Sequence, residues 1–181
     1  VALFREANVE VEKEEAKLAQ QFMKVAGAMA VMYDGQERTM QQLARYLEEP
    51  SRPVREETWL LGENRRFKDR DILNEVFGQL LAMRQKIAEN AGFNNYRDYI
   101  FRKRERFDYT PEDCFRYHKA VEEYVVPLLR ELDRQREGQL KVDPLRPWDL
   151  AVDPESRPPL HPFTTASVAS SKAPSCGKSG V

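Results

Sequence analysis

The sequence predicts a mainly α-helical protein with one small β-hairpin. Over most of the first 140 residues, apolar side chains recur at three- and four-residue steps, which is the periodicity of one helix face. The chain has only eight glycines, and 33% of its residues are charged, as is typical of helix-rich, well-solvated proteins. One short stretch alternates apolar and polar residues next to an Asp-Gly pair, which is a hairpin signal. We therefore expect a helical, bundle-like segment.

The first predicted elements are a helix over residues 10–24 and a hairpin over residues 29–39. In the hairpin, residues 34–35 are the Asp-Gly pair that suits a tight turn between two strands. Thr39 then follows the second strand and can cap a helix that runs to about Leu47.

The longest predicted helix spans residues 54–91, with Pro53 in its first turn. Gly92 directly follows the last apolar position and is a natural C-terminal stop, because glycine tolerates the left-handed conformation found there. Asn94 or Asn95 is expected to cap a short helix after this stop.

Residues 110–113, Thr-Pro-Glu-Asp, form a strong helix start, from which a helix is predicted to about Leu140. A proline at position 127 predicts a kink within it. The apolar stripes of residues 54–91 and 111–140 are expected to pack together as antiparallel helices. The buried face of the second stripe is predicted to contain Cys114, Tyr117, Val121, Tyr124, Val125, Leu128 and Leu132.

Composition divides the chain into three parts. Residues 1–142 form the predicted helical region, and residues 143–163 form an extended, proline-rich connector that Trp148 and Phe163 could pin. Residues 164–181 contain Ser, Ala, Thr and Lys with almost no large apolar residue, and this tail is predicted to be disordered.

Charge and cysteine content exclude several classes of function. Lys and Arg total 29 against 30 Asp and Glu, so no overall field attracts nucleic acid or an acidic membrane. Two cysteines cannot form a disulfide framework, no signal-peptide pattern is visible, and no apolar run approaches the roughly 18 residues that span a bilayer. These features favour a cytoplasmic protein.

One set of side chains has the types that bind zinc. Cys114, His118 and Glu122 are spaced four residues apart, which places thiol, imidazole and carboxylate along one helix face. The competing interpretation is that Cys114 packs as a small apolar residue beside an exposed His118–Glu122 pair. We favour the second, because no fourth ligand is evident, and His161 has no identifiable partner. We therefore assign no catalytic, cofactor-binding or metal-binding residue.

Two basic clusters, residues 65–70 and 102–106, could contact phosphate or a peptide carboxylate. Their acidic neighbours favour the alternative of a solvated helix face. Residues 177–179, Gly-Lys-Ser, match only the end of a phosphate-binding loop, since the earlier glycine is absent and no strand precedes them.

Taken together, several short segments resemble a known family. They are residues 25–31 (VAGAMAV), 34–37 (DGQE), 43–50 (LARYLEEP), 55–59 (REETW), 73–77 (LNEVF), 87–99 (IAENAGFNNYRDY), 106–114 (RFDYTPEDC), 125–128 (VVPL) and 145–149 (LRPWD). In order and spacing, this series resembles the N-terminal half of the oligoendopeptidase F and thimet oligopeptidase family of zinc metallopeptidases. The resemblance covers about residues 4–163.

The resemblance implies a largely helical parent enclosing a deep channel that admits short peptides. Family members hydrolyse internal peptide bonds with one zinc ion, held by the two histidines of an H-E-x-x-H helix and a later glutamate. Neither His118 nor His161 begins that motif, and the chain has no other histidine. We therefore expect zinc only in a full-length parent, and this chain to be inactive alone.

Two functional hypotheses follow. In the first, the chain is a channel-wall fragment, arising by truncation or frameshift, whose partners are short peptides and the missing C-terminal catalytic half. In the second, it is a non-catalytic helical interaction module derived from the same scaffold. A fragment should expose a large apolar face, whereas an adapted module should carry polar residues there.

Overall fold

The computed structural model describes residues 3–157, which form helices and one two-stranded sheet. The α-helices are α1 (Glu6–Gly27), α2 (Met40–Ala44), α3 (Arg52–Lys68), α4 (Arg70–Asn90), α5 (Tyr96–Lys103), α6 (Pro111–Ala120) and α7 (Val126–Leu140). Short 3-10 helices cover Arg45–Glu48 and Pro147–Asp149. The strands are β1 (Ala30–Tyr33) and β2 (Gln36–Thr39). The predicted mainly helical class with one hairpin is confirmed.

The hairpin forms as its turn chemistry predicts. Asp34 and Gly35 both have positive φ, 52° and 68°, as the mirror-image turns of two-residue hairpins require. The strands pair antiparallel, with Tyr33 opposite Gln36 and Val31 opposite Arg38. Thr39 then caps α2 with a reciprocal capping box, which also confirms the predicted start of that helix.

The first packing unit joins α1, α4 and α5. Its centre is a buried cluster with partly buried apolar residues around it: Ile87, Ala88, Ala91 and Tyr99, with Leu3, Val11, Phe93 and Tyr96 packed against them. A polar contact crosses the same interface, because buried Asn8 donates its Nδ2–H to the carbonyl of Ile87 at 3.0 Å. Asn90 in turn donates to Asn8 Oδ1 at 2.8 Å, so the buried amide is satisfied.

Gly92 ends α4 as predicted, with φ of +84°. The N–H of Phe93 donates to the carbonyl of Ala88 at 2.9 Å, and the N–H of Gly92 donates to Glu89 at 2.9 Å. This is the hydrogen-bond pattern of a Schellman motif. Asn95 then caps α5 through its side chain, which accepts from the N–H of Asp98.

The prediction of one helix over residues 54–91 was wrong, because α3 and α4 are separate helices that meet at Asp69. This residue has φ −100° and ψ 3°, outside the helical range. Aspartate has a low helix propensity, and its carboxylate accepts a hydrogen bond from Arg65 at 2.5 Å. Helical bonding resumes at once, from the Leu73 N–H to the Asp69 carbonyl at 3.0 Å.

The predicted helix from Thr110 to about Leu140 forms, with a capping box at Thr110. A π-helical turn, Val121–Val125, separates α6 from α7 just before Pro127. π-Turns of this kind are a recognised cause of helix kinks.

The predicted packing of this helix against residues 54–91 was wrong. Within residues 3–157, neither α6 nor α7 packs extensively against another helix or strand, and neither contains a buried residue. Of the predicted apolar stripe, Cys114 and Val121 are partly buried and the other members are exposed.

The proline-rich segment after Asp143 lies against α3. Its 3-10 turn packs on that helix, and Trp148 contacts Trp59 with ring centroids 5.4 Å apart. The predicted pinning at Trp148 is therefore confirmed. Phe163 and the predicted disordered tail over residues 164–181 lie outside the described residues. Among the helices of residues 3–157, none combines the length and apolar character needed to cross a membrane.

Candidate functional site

The strongest polar constellation ties residues 146–149 to α3. Asp149 is fully buried, and its carboxylate accepts hydrogen bonds from two arginines. Arg52 Nη2 donates to Oδ2 and Arg55 Nη2 donates to Oδ1, both at 2.9 Å. The backbone N–H of Arg146 adds a third donor, 3.0 Å from Oδ2. The carboxylate is therefore saturated by protein donors and has no free oxygen for a substrate.

Like the Asp149 carboxylate, the Arg55 guanidinium has protein partners, and each of its three nitrogens donates a hydrogen bond. It is 2% exposed, and besides Asp149 it donates to three backbone carbonyls, those of Trp148, Glu49 and Pro50, at 2.8–2.9 Å. A buried guanidinium needs such partners, because an unpaired charge in this position would be strongly destabilising. The arrangement holds residues 148–149 against α3 but offers no reactive group.

The titration of Asp149 reflects two opposing effects. Burial raises the pKa of its carboxyl group, but hydrogen bonds from Arg52, Arg55 and the Arg146 N–H outweigh burial, and the net pKa lies below its ordinary value. The carboxylate is thus ionised at neutral pH, as its two cationic partners require.

Sequence reasoning missed this constellation, although α3 carried a signal. Arg55, Thr58 and Gly62 occupy one face at helical spacing, and all three are buried. A charged residue in line with small buried residues indicates a partner of opposite charge. Its identity was not available from spacing, since Asp149 lies 94 residues from Arg55.

The three residues considered as zinc ligands do not assemble a metal site. Cys114 is partly buried, while His118 and Glu122 are exposed. The His118 ring has aromatic neighbours in Phe115 and Tyr117, at centroid distances of 6.4 and 6.3 Å. No group of three or more His, Cys, Asp or Glu side chains that could hold a metal ion occurs in residues 3–157. The zinc implied by the family resemblance therefore finds no fitting ligand set in this part of the chain.

The first basic cluster is neutralised by neighbouring carboxylates. Arg65 pairs with Asp69, Arg66 with Glu63, and Arg70 with Asp71. These are short-range pairs along the helices, as the solvated-face interpretation predicts.

The second basic cluster contacts aromatic rings and α1. Arg106 lies over the rings of Phe101 and Tyr109, 5.3 and 6.0 Å from their centroids, which are cation–π distances. Lys103 donates to Glu12 at 2.7 Å and thereby joins α5 to α1. These cations therefore have intramolecular roles.

Large apolar side chains are exposed along α6 and α7. We define the α6–α7 apolar face as Tyr117, Tyr124, Leu128 and Leu132, which follow one another along α6, the π-helical turn and α7. Their exposed fractions are 68%, 69%, 57% and 49%. Large side chains exposed contiguously along one helix are typical of an interaction surface. The sequence identified these residues as a buried face, whereas in residues 3–157 they are open.

This helical architecture is similar to that of solved peptidase structures. A crystal structure described as an oligoendopeptidase F from Bacillus anthracis str. Ames matches 82% of this chain at 24% identity, with a TM-score of 0.78. A structure of PZ peptidase A with an inhibitor matches 84% at 26% identity, with a TM-score of 0.81. A 3.1 Å structure of another oligoendopeptidase F gives the same three values.

These matches confirm the resemblance to oligoendopeptidase F that the sequence indicated. In each case the chain spans 27% of the length of the solved structure, about a quarter of a whole peptidase. No family model and no curated protein sequence matches the chain.

Proposed function

We propose that this chain is a non-catalytic, channel-wall segment of a cytoplasmic, zinc-dependent oligoendopeptidase that hydrolyses internal bonds of short peptides. The observation that carries the proposal is the fold shared with oligoendopeptidase F structures over 82–84% of the chain. In this assignment the chain forms part of the channel wall of the peptidase, and the zinc-binding helix belongs to the remainder of the enzyme. The chain alone is inactive.

The α6–α7 apolar face supports the peptidase segment over the alternative, a non-catalytic interaction module derived from the same scaffold. An adapted module would have polar side chains where the remainder of the peptidase used to pack. Instead, Tyr124 and Leu128 are more than half exposed. Apolar burial contributes about 25 cal/mol per Å², so covering four such side chains would contribute several kcal/mol to docking.

The absence of activity is tested first with the purified chain. Cleavage of a quenched-fluorescence peptide and zinc content are measured with and without a chelator. We expect no stoichiometric zinc and no chelator-sensitive cleavage, alongside a helical circular dichroism spectrum. Zinc-dependent cleavage that disappears in Cys114→Ala or His118→Ala would contradict the proposal and place a site on α6.

The segment role is tested by complementation. PZ peptidase A lacking its matched 27% is mixed with this chain, and peptide cleavage is followed. We expect the chain to restore chelator-sensitive cleavage, and the double variant Leu128→Lys, Leu132→Lys to lose this effect. Arg130→Gln, an exposed change on the same helix, is the matched control. The interaction module would be favoured if this chain formed a stable complex with the truncated peptidase but neither the wild-type chain nor the double variant restored cleavage.

A further inference from the structure

A polar cavity of about 660 Å³ lies between β2, the α2 region and residues 152–157. Its lining includes Arg38, Gln42 and Arg45 on one side and Arg157 on the other. The volume falls in the range of small-molecule sites, about 300–1,000 Å³. The cavity lining contains no residue of the α6–α7 apolar face and none of Arg52, Arg55 and Asp149. It adjoins the Asp149 constellation through Glu49 and Pro50, whose carbonyls accept from Arg55.

Arg38 occupies a position where the hairpin would ordinarily place an apolar residue. It is directly opposite Val31 in the register, and opposite residues project to the same face of a sheet. Val31 is buried, whereas Met32, the next residue along β1, is 65% exposed. The side chain of Arg38 therefore projects from the inner face of the hairpin, and it lines the cavity.

Among the described residues, the Arg38 guanidinium has no hydrogen-bond acceptor. Its Nε is shielded from solvent and has no hydrogen-bond partner, and no ion pair to Arg38 exists within residues 3–157. Buried polar atoms are nearly always paired, so an orphan donor needs an explanation. A guanidinium can donate two parallel N–H bonds to the two oxygens of a carboxylate.

Other unused donors face the same space. Gln42 accepts from the Thr39 N–H through Oε1 at 2.9 Å, which leaves its Nε2 amide without an acceptor among the described residues. The guanidinium of Arg45 likewise makes no hydrogen bond or ion pair among the described residues. Two guanidinium groups and an amide thus line one cavity without a hydrogen-bond acceptor among the described residues, and Gln42 and Arg45, like Glu48 and Glu49, are exposed to solvent.

The acidic residues around the cavity do not neutralise this donor set. Asp153 is already held by Arg157, which donates to both carboxylate oxygens at 2.7 and 3.0 Å. Glu48 and Glu49 also line the cavity, but both are exposed to solvent, where water solvates their charge. Neither reaches Arg38 or Arg45.

We propose that this cavity binds a small ligand through an oxyanion, with the Arg38 guanidinium as the principal donor and Arg45 and Gln42 as supporting donors. A carboxylate fits the planar fork best, and a phosphate is the second source of the same chemistry. The exposed carboxylates of Glu48 and Glu49 further suit a ligand that also carries a positive or N–H group.

The test is a titration of the full chain in low-chloride buffer, followed by the ¹H–¹⁵N signal of Arg38 Nε–Hε. The probes are N-acetyl-trialanine with a free carboxylate, the same peptide with a C-terminal amide, and inorganic phosphate. We expect the acid to shift this signal saturably and the amide to bind at least tenfold more weakly. Saturable binding of phosphate alone would assign the oxyanion to phosphate, while equal binding of acid and amide, or no binding of any probe, would overturn the proposal.

Variants separate the site from general charge effects. Arg38→Gln and Arg45→Gln are each expected to weaken binding of the acid at least fivefold, as read from the remaining shifted signals. Arg130→Gln on α7, which does not line the cavity, should bind like the wild type. If Arg38→Gln loses its helical circular dichroism spectrum, Arg45→Gln decides the matter, and unchanged binding by that variant would refute the proposal.

Discussion

Asp149 joins residues 146–149 to α3, although four α-helices lie between the two along the chain. Its carboxylate is fully buried and meets Arg55, itself 2% exposed. Breaking a buried pair by removing one charge leaves the other uncompensated, which is more damaging than losing a surface pair. Asp149→Asn should therefore lower the free energy of unfolding by about 3 kcal/mol, measured by urea denaturation.

The matched control is Glu131→Gln, because Glu131 pairs with Arg134 at 2.6 Å on the exposed surface of α7. We expect this variant to change the free energy of unfolding by less than about 0.5 kcal/mol. Equal losses for the two variants would mean that burial does not determine the strength of the Asp149 pair.

The same residue predicts a pH dependence. The folded-state pKa of Asp149 lies below its ordinary value, and the unfolded value is about 3.9. A depressed carboxyl pKa contributes stability that is complete above the unfolded pKa and lost as the pH falls through the folded one. The difference in unfolding free energy between wild type and Asp149→Asn should be constant above about pH 5 and shrink below about pH 4. A difference that grows on acidification would contradict this assignment.

At the scale of elements, opposite effects on stability are expected for Gly78, within α4, and Gly92, just after its end. Gly92 has φ of +84°, and an L-residue in the left-handed region is disfavoured by about 1–2 kcal/mol. Gly92→Ala should therefore lower the free energy of unfolding by about that amount. Gly78 lies inside the helix with nothing within 4 Å of an added Cβ, so Gly78→Ala should stabilise by about 0.5–1 kcal/mol. Thermal or urea unfolding of both variants checks the two signs, and equal effects would contradict the Schellman assignment.

Local signals in the sequence predicted the elements well. The Asp34-Gly35 turn, the Thr39 and Thr110 caps, and the Gly92 stop each act within a few residues, so their chemistry can be read from the chain. The break at Asp69 escaped prediction, because one non-helical residue leaves the apolar periodicity on both sides unchanged. Nothing in the local pattern distinguishes it from a continuous helix.

At the scale of the whole molecule, contacts between distant parts of the chain could not be predicted from the sequence. Helical periodicity identified the apolar stripe of α6 and α7, but not what would cover it, since a stripe carries no information about its partner. The Arg52–Arg55–Asp149 constellation was missed for a related reason, since Asp149 lies more than 90 residues from both arginines. The donors of the Arg38 cavity also come from separate elements and have no common motif.

From the lack of buried residues in α6, the π-helical turn and α7, we predict fast exchange of their amide hydrogens. Segments with few buried contacts open locally without global unfolding. Amides of residues 121–129 should therefore exchange at least about 100-fold faster, relative to their intrinsic rates, than those of residues 80–88 in α4. Hydrogen–deuterium exchange followed by NMR measures both, and similar protection would show that the α6–α7 apolar face is covered in solution.

The pairing of Arg55 with Asp149 also has a consequence for the order of events during synthesis. Ninety-four residues separate the two, and at ribosomal rates of about 5–20 residues per second this amounts to a delay of roughly 5–20 seconds. During that interval Arg52 and Arg55 lack the carboxylate of Asp149, so the Arg55 guanidinium cannot be buried stably. The hairpin, α1, α4 and α5 are all translated before Asp149 emerges. The nascent chain should thus complete its α1–α4–α5 unit first and close the α3 unit last.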